Sequence, residues 1–322
     1  VSTAQGEPRR LPGSVCIVGP TGAGKTDLAL ALAERFRGGV VNIDSRQLYS
    51  GLEIVTAQPT AADQARCPHL LYGVLSPCQS VSAGAFTVMA EEAMLELAEQ
   101  GCLPLLVGGT GLYLDALLYG LSPIPEVPDV TRQQLQEAWE VFGGETLHSW
   151  LTQIDPVYAA KIHPNDRQRI TRALEVFEST GRVFSSFHQQ EDEPPRFDAL
   201  KLGVGMDLDE LTPRLALRIE SMLEAGAAAE MERAFAECPR VDAPGFTGIG
   251  SHELLEYIRG RLDIEQAKSL WLKRTRAYAK RQMTWFKRDE AIQWLRPDDT
   301  EKAIWLVEEW LARAVHRQPD AE

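Results

Sequence analysis

The sequence predicts an α/β fold, a parallel sheet with crossover helices into which an all-helical segment is inserted. Three observations predict it. Short apolar runs alternate with helical periods in the first part of the chain. The first of those runs enters a glycine-rich loop that opens a helix. A long central stretch then offers helical periodicity and no strand candidate.

The elements follow in order. Ser14 to Val18 is a short apolar run, the pattern of a buried strand, and Lys25 to Phe36 carries Leu28, Ala29 and Leu32 at helical spacing. Val40 to Ile43 is a second buried strand that ends at Asp44. Phe86 to Ala98 is helical by period, with Gly101 as its stop signal. Pro104 to Val107 is a third strand, ending in Gly108-Gly109-Thr110. Three prolines between Ser122 and Pro128 mark a boundary, and Thr131 to about Ser179 reads as helix throughout. The acidic, proline-containing stretch Gln190 to Pro195 reads as a linker, and Leu200 to Met206 as a returning strand. Helices are expected at Leu208–Leu223, Ala227–Glu237, Ser251–Ile258, Ile264–Lys287 and Thr300–Val315. The expected division is residues 1–124 for the first part of the core, 125–195 for the inserted helical domain, and 196–322 for the rest of the core with its C-terminal helices.

Composition narrows the function classes. Hydrophobic residues at 44% and charged residues at 25% are ordinary for a globular protein of 322 residues. No run approaches the roughly 18 consecutive apolar residues of a membrane span. Val1 to Gly13 lacks the apolar centre of a signal peptide, so a cytoplasmic protein is expected. Cys16, Cys67, Cys78, Cys102 and Cys238 are scattered with no C-x-x-C pair, which argues for reduced thiols and against a zinc site. The net charge of −13 speaks against a polyanionic partner only on average, because binding depends on where the positive charge clusters.

Gly19-Pro20-Thr21-Gly22-Ala23-Gly24-Lys25-Thr26 matches G-x-x-x-x-G-K-[ST] in full, with a strand before it and a helix after it. The glycines let backbone N–H groups converge on phosphate oxygens, and the helix N-terminus adds its positive dipole end. Lys25 supplies a point charge, and the Thr26 hydroxyl suits Mg²⁺. The loop places the core among P-loop, NTPase-like folds. It identifies a polyphosphate ligand and not a reaction, since ATP-binding kinases, NTPases and transferases share it. Asp44 ends a strand at the edge where open α/β sheets place ligands. An indirect Mg²⁺ ligand and a general base both fit that position. Gly108-Gly109-Thr110 ends the next strand at the same edge, although a plain turn with a Thr N-cap would look the same.

These segments, with HPNDRQRITRALEVFESTG (His163 to Gly181), RIESMLEAG (Arg218 to Gly226) and RAYAKRQMTWFKR (Arg276 to Arg288), give a close resemblance to the bacterial tRNA dimethylallyltransferases over nearly the whole chain. DSRQLY (Asp44 to Tyr49) and VGGTGLY (Val107 to Tyr113) belong to the same match. The resemblance implies transfer of a dimethylallyl group from its diphosphate to N6 of the adenosine immediately 3′ of the tRNA anticodon, with Mg²⁺. It implies Asp44 as general base, Thr110 lining the reaction channel, and Arg218 holding the pyrophosphate. It implies tRNA contacts at Asp44, Ser45, Arg46 and Gln47, at Gln168, Arg169, Ile170, Thr171 and Arg172, and at Thr110 and Arg132. The partners expected are thus the tRNA anticodon stem-loop and dimethylallyl diphosphate, met by a monomer. The chain departs from the family pattern at Val55-Thr56-Ala57-Gln58-Pro59 (G-T-A-K-P), at Ile249-Gly250-Ser251-His252-Glu253 (I-G-Y-[KR]-E) and at Leu217, where a basic residue is frequent.

Two basic clusters fit a tRNA partner. Lys161, His163, Arg167, Arg169 and Arg172 lie in the insert. Lys268, Lys273, Arg274, Arg276, Lys280, Arg281, Lys287 and Arg288 form a second run, interleaved with Trp271, Tyr278, Trp285 and Phe286 and free of acidic residues. Cations track phosphates and aromatic planes stack unpaired bases, with Arg276 and Lys280 the expected phosphate contacts. An amphipathic helix with an aromatic core face gives the same pattern. Three rival readings remain at this level. They are a P-loop kinase of a small metabolite, a prenyltransferase of free adenine nucleotides, and a non-catalytic nucleotide-binding module.

Overall fold

The computed structural model describes residues 10–187 and 194–316. Val1 to Arg9, and Gln190 to Glu193 of the expected linker, lie outside the described residues. The elements run β1 (Ser14–Val18), α1 (Lys25–Phe36), β2 (Gly38–Asn42), α2 (Ala61–Gln64), β3 (His69–Leu70), α3 (Ala83–Glu99), β4 (Leu103–Gly108) and α4 (Gly111–Tyr119). Next come α5 (Asp129–Ile154), α6 (Pro156–Ala159), α7 (Arg167–Thr180), β5 (Ala199–Val204), α8 (Leu208–Glu224), α9 (Ala227–Glu237), α10 (Ser251–Ile258), α11 (Ile264–Phe286), β6 (Gln293–Leu295) and α12 (Thr300–His316).

The strands form one parallel sheet in the order β3-β2-β4-β1-β5-β6. Because both faces of a parallel sheet are covered by helices, its strands read as unbroken apolar runs. β1 is buried at every position, and its side chains divide between the two faces. Val15 and Ile17 join Val40, Leu105 and Leu202 in a core against Leu28 and Leu32 of α1 and Val307 of α12. Cys16 and Val18 join Val41 and Leu106 against Phe86 and Met94 of α3 and Leu117 of α4. A further core of Leu52, Ile219, Met231, Phe246, Leu255 and Trp271 holds α8 to α11 to the segment after β2.

The chain forms two compact units, one running to Leu118 and resuming at Pro195, the other spanning Tyr119–Pro194. The second unit has its own core of Leu135, Leu147, Leu151, Ile170, Leu174 and Phe184. Its helical stretch is divided into α5, α6 and α7, and α5 is broken at Gly143, where φ is 76°.

Two sequence expectations are corrected. β2 starts at Gly38 and stops at Asn42, displaced from Val40–Ile43, because Gly38 and Gly39 pair with Leu103 and Pro104 and leave room for Leu97 and Leu105. The cysteines are not all reduced thiols. Cys78 and Cys238 form a disulfide, with their Cα atoms 6.0 Å apart across a sequence separation of 160. Spacing cannot reveal such a pair, since the fold alone brings the two loops together. Cys16, Cys67 and Cys102 are free. No helix among the described residues is long and apolar enough to cross a membrane.

Candidate active site

Three strands deliver the site to one edge of the sheet, at the central position where β1 is flanked by β4 and β5. Beyond β1, the chain turns through Gly19, where a side chain would strike the Val204 carbonyl and φ is 141°. Gly24 at φ 93° precedes α1, whose N-terminus has no side-chain cap. Lys25 folds back over the loop and its Nζ donates to the carbonyls of Gly19 (3.1 Å) and Pro20 (2.9 Å). Burial pulls the Lys25 ammonium down to about 8; the Asp44 charge opposes that shift and the Arg218 charge adds to it. Arg218, half-buried on α8, is likewise held below its ordinary range by burial, against the pull of Asp44 and Asp27. Lys25, Asp44 and Arg218 come from separate parts of the sequence, and the fold puts them within one another's fields.

Asp44 follows β2 and is fixed from both sides. The buried Asn42 accepts from its N–H (2.7 Å) and donates to its carbonyl (3.0 Å) and to that of Leu71 (2.9 Å). Oδ1 of Asp44 accepts from the Arg46 N–H at 2.9 Å. Among the described residues Oδ2 makes no hydrogen bond. Thr110, beyond β4, accepts from the Ser45 N–H at 3.1 Å. Beside it lies Tyr278, whose phenol is pushed up to about 12, chiefly by burial and further by Asp44. The two strand ends approach so closely because position 108 is glycine; a Cβ there would collide with the Ile43–Asp44 backbone.

The remaining residues of Asp44–Gln47 are tied to the protein. Arg46 donates to the Pro244 carbonyl (3.1 Å) and to Thr247 Oγ1 (2.9 Å), and Gln47 Nε2 donates to the carbonyls of Thr56 and Ala57 (3.1 and 2.8 Å). Two of the three departures from the family pattern sit close by, and the third, Leu217, is 69% exposed on α8. Gln58 is half-buried and donates to the Tyr49 carbonyl at 2.8 Å. Glu253, 1% exposed, pairs with Arg274 at 2.6 Å and caps Gly250, beside a cleft of about 260 Å³ lined with His252 and Thr247.

In the Tyr119–Pro194 unit, Gln168 and Arg169 are exposed on α7, whereas Ile170 is fully buried and Thr171 donates to the Arg167 carbonyl at 2.8 Å. Ile170 and Thr171 therefore shape the helix, and Gln168, Arg169 and Arg172 carry its polar face. Arg132 pairs with Asp129 at 3.0 Å at the start of α5.

Sequence reasoning missed Gln282. This α11 residue is 4% exposed; its Oε1 accepts from the Thr21 N–H (2.9 Å) and its Nε2 donates to the Gly109 carbonyl (2.8 Å). The available signal was a polar side chain on the buried stripe Ala267, Trp271, Ala279, Phe286.

A model of the IPP transferase family matches residues 47–289. The tRNA dimethylallyltransferase of Maridesulfovibrio salexigens is 50% identical over 92% of this chain and 97% of its own. That of Nitratidesulfovibrio vulgaris is 53% identical over 90% and 94%. Among solved structures, the tRNA isopentenylpyrophosphate transferase of Bacillus halodurans superposes with a TM-score of 0.68 at 33% identity, covering 95% of this chain and 97% of that one. A eukaryotic dimethylallyltransferase acting on tRNA gives 0.77 at 25% identity, covering 97% and 81%. By sequence, by fold and by the residues at the sheet edge, the chain belongs to the IPP transferase family.

Proposed function

We propose that the protein transfers the dimethylallyl group of dimethylallyl diphosphate to N6 of the adenosine immediately 3′ of a tRNA anticodon, releasing diphosphate. The observation that carries this reading is the placement of Lys25, Arg218 and the phosphate loop around one carboxylate, Asp44. An exocyclic adenine amine is a poor nucleophile, because its lone pair is delocalised into the ring. As N6 attacks the allylic C1, its proton passes to Asp44 Oδ2 and the C1–O bond breaks. The electron pair leaves with the diphosphate, where loop N–H groups, Lys25 and Arg218 meet the developing charge.

Among the described residues no cluster of three or more His, Cys, Asp and Glu side chains is placed to hold a metal. That fits Mg²⁺, which keeps waters and substrate phosphate oxygens and needs few protein ligands. The exposed Thr26 hydroxyl at the start of α1 would hold it, and when bound it neutralises diphosphate charge. The target base reaches the site from an unpaired loop, which limits the cost of flipping it. Arg46, the polar face of α7 and the cations of α11 are the phosphate contacts of this reading.

Mass spectrometry of tRNA nucleosides and of ribonuclease fragments after incubation with dimethylallyl diphosphate and Mg²⁺ tests it. Dimethylallyl-adenosine at the single position 3′ of the anticodon is expected. Unmodified tRNA, together with phosphoryl transfer from labelled ATP to a small molecule, would overturn it.

A further inference from the structure

Gln282 is a neutral amide on the buried stripe of α11, and both ends of that amide are used. One end accepts from the backbone of the phosphate loop at Thr21; the other donates to the backbone of the β4–α4 turn at Gly109. Those two backbones carry opposite halves of the chemistry, the leaving group on one side and Thr110 with Asp44 on the other. The turn is shaped to receive the amide, since a Cβ at Gly109 would collide with Gln282 Nε2. The neighbouring turns of α11 grip the same strand end. Tyr278, four residues earlier, lies beside Thr110, and Trp285, three residues later, lies where a Cβ on Gly111 would be.

We infer that Gln282 is a positioning residue that sets the distance between the diphosphate cradle and the Asp44–Thr110 group. It touches neither substrate and acts through the two backbones it joins. The inference rests on the functional reading above and deepens it by naming what holds the two half-sites in register. A misplacement of about 1 Å between reacting groups costs on the order of 100-fold in rate. A side chain that loses one of the two bonds therefore lowers the rate of the bound complex more than it weakens tRNA binding.

Two variants test this, with the wild type run beside them. Gln282→Leu keeps the bulk and makes neither bond. Its single-turnover rate at saturating substrates is expected to fall by roughly 10- to 100-fold, with tRNA affinity unchanged. Gln282→Glu keeps the acceptor for Thr21, and as a carboxylate it faces the Gly109 carbonyl with no proton to donate. Once protonated, it regains one donor and one acceptor, and burial raises its pKa toward the assay range. The ratio of its rate to the wild-type rate is expected to climb as pH falls from 8 to 6.

A wild-type saturating rate for Gln282→Leu would overturn the inference, as would a flat Gln282→Glu ratio. A lowered melting temperature with an unchanged rate would overturn it too, since it marks a residue that only supports the fold. If the wild type itself makes no dimethylallyl-adenosine, the functional reading fails separately. Inorganic diphosphate titrated calorimetrically into all three proteins then decides Gln282: several-fold weaker binding to Gln282→Leu supports it, and equal binding overturns it.

Discussion

Because burial pulls Lys25 down to about 8, its ammonium is charged below that pH and neutral above it. The diphosphate is anionic throughout, so its attraction to Lys25 is fully present on the acid side and is lost as pH rises through about 8. kcat/KM for the diphosphate substrate, which reports the free enzyme, is expected to bend downward there. Lys25→Ala abolishes turnover while leaving tRNA binding nearly unchanged; wild-type rates would remove the assigned role. Asp44 is tested by Asp44→Asn, which keeps the bond from the Arg46 N–H and loses the proton acceptor. A fall in kcat on the order of 10²–10⁴ is expected, with both substrates still bound. A Mg²⁺ titration in single turnover separates the alternative role, because rescue by metal would mean that the carboxylate organises the ion. No rescue is expected, since Thr26 and the diphosphate can hold Mg²⁺ without it. Lys25 was legible from the complete glycine-rich loop, and Asp44 and Thr110 because each follows a strand at the ligand-binding edge of the sheet. Gln282 was not, because a lone glutamine on an apolar stripe gives no sign of the two backbones it bonds.

α11 shows what an element adds to its residues. Its inward stripe of Trp271, Gln282 and Phe286 is buried while Lys273, Lys280, Lys287 and Arg288 stay exposed, so the helix is amphipathic and its exposed cations remain the proposed phosphate contacts. The cations are not equivalent. Arg276 is engaged with Thr212 (3.0 Å) and Asp209 (3.3 Å) on α8, and Lys268 with Glu220 (2.7 Å). Lys280 has no ion pair among the described residues. Lys280→Ala is expected to flatten the salt dependence of tRNA binding by about one unit of slope, and Arg276→Ala by less. Equal slopes for Lys280→Ala and the wild type, measured by filter binding across a salt series, would take α11 off the tRNA backbone. The long helices were readable from periodicity and the central strands from short apolar runs, with β2 displaced at its start. β3 and β6 were not, because His69–Leu70 and Gln293–Leu295 are edge strands too short to show a period.

At the scale of the whole molecule, the chain reunites distant stretches in ways that no local pattern announces. The core around Phe246 and Trp271 draws on Tyr49, Leu52 and Val55 from the segment after β2, and the Cys78–Cys238 disulfide ties the same two regions covalently. Glu230 on α9 reinforces the link, accepting from the N–H groups of Ile54 and Val55 at 2.8 and 2.9 Å. Gly245 N–H donates to the Pro77 carbonyl at 2.9 Å, beside the Pro244–Thr247 turn that holds Arg46. A cross-link spanning 160 residues removes much of the freedom of the unfolded chain, worth about 5 kcal/mol by loop-closure entropy, although measured bridges typically give 2–4. The non-covalent contacts around the bridge survive its reduction, so the fold and Arg46 stay in place. Reduction is therefore expected to lower the melting temperature by on the order of 5–10 °C while leaving the single-turnover rate at 25 °C unchanged. Calorimetry with and without dithiothreitol measures the shift, with the Cys78→Ser, Cys238→Ser double variant as a control that dithiothreitol does not affect. If the reduced and oxidised proteins melt together, the packing around Phe246 holds the two regions alone; if reduction also slows transfer, the bridge acts on Arg46 through Pro77 and Gly245.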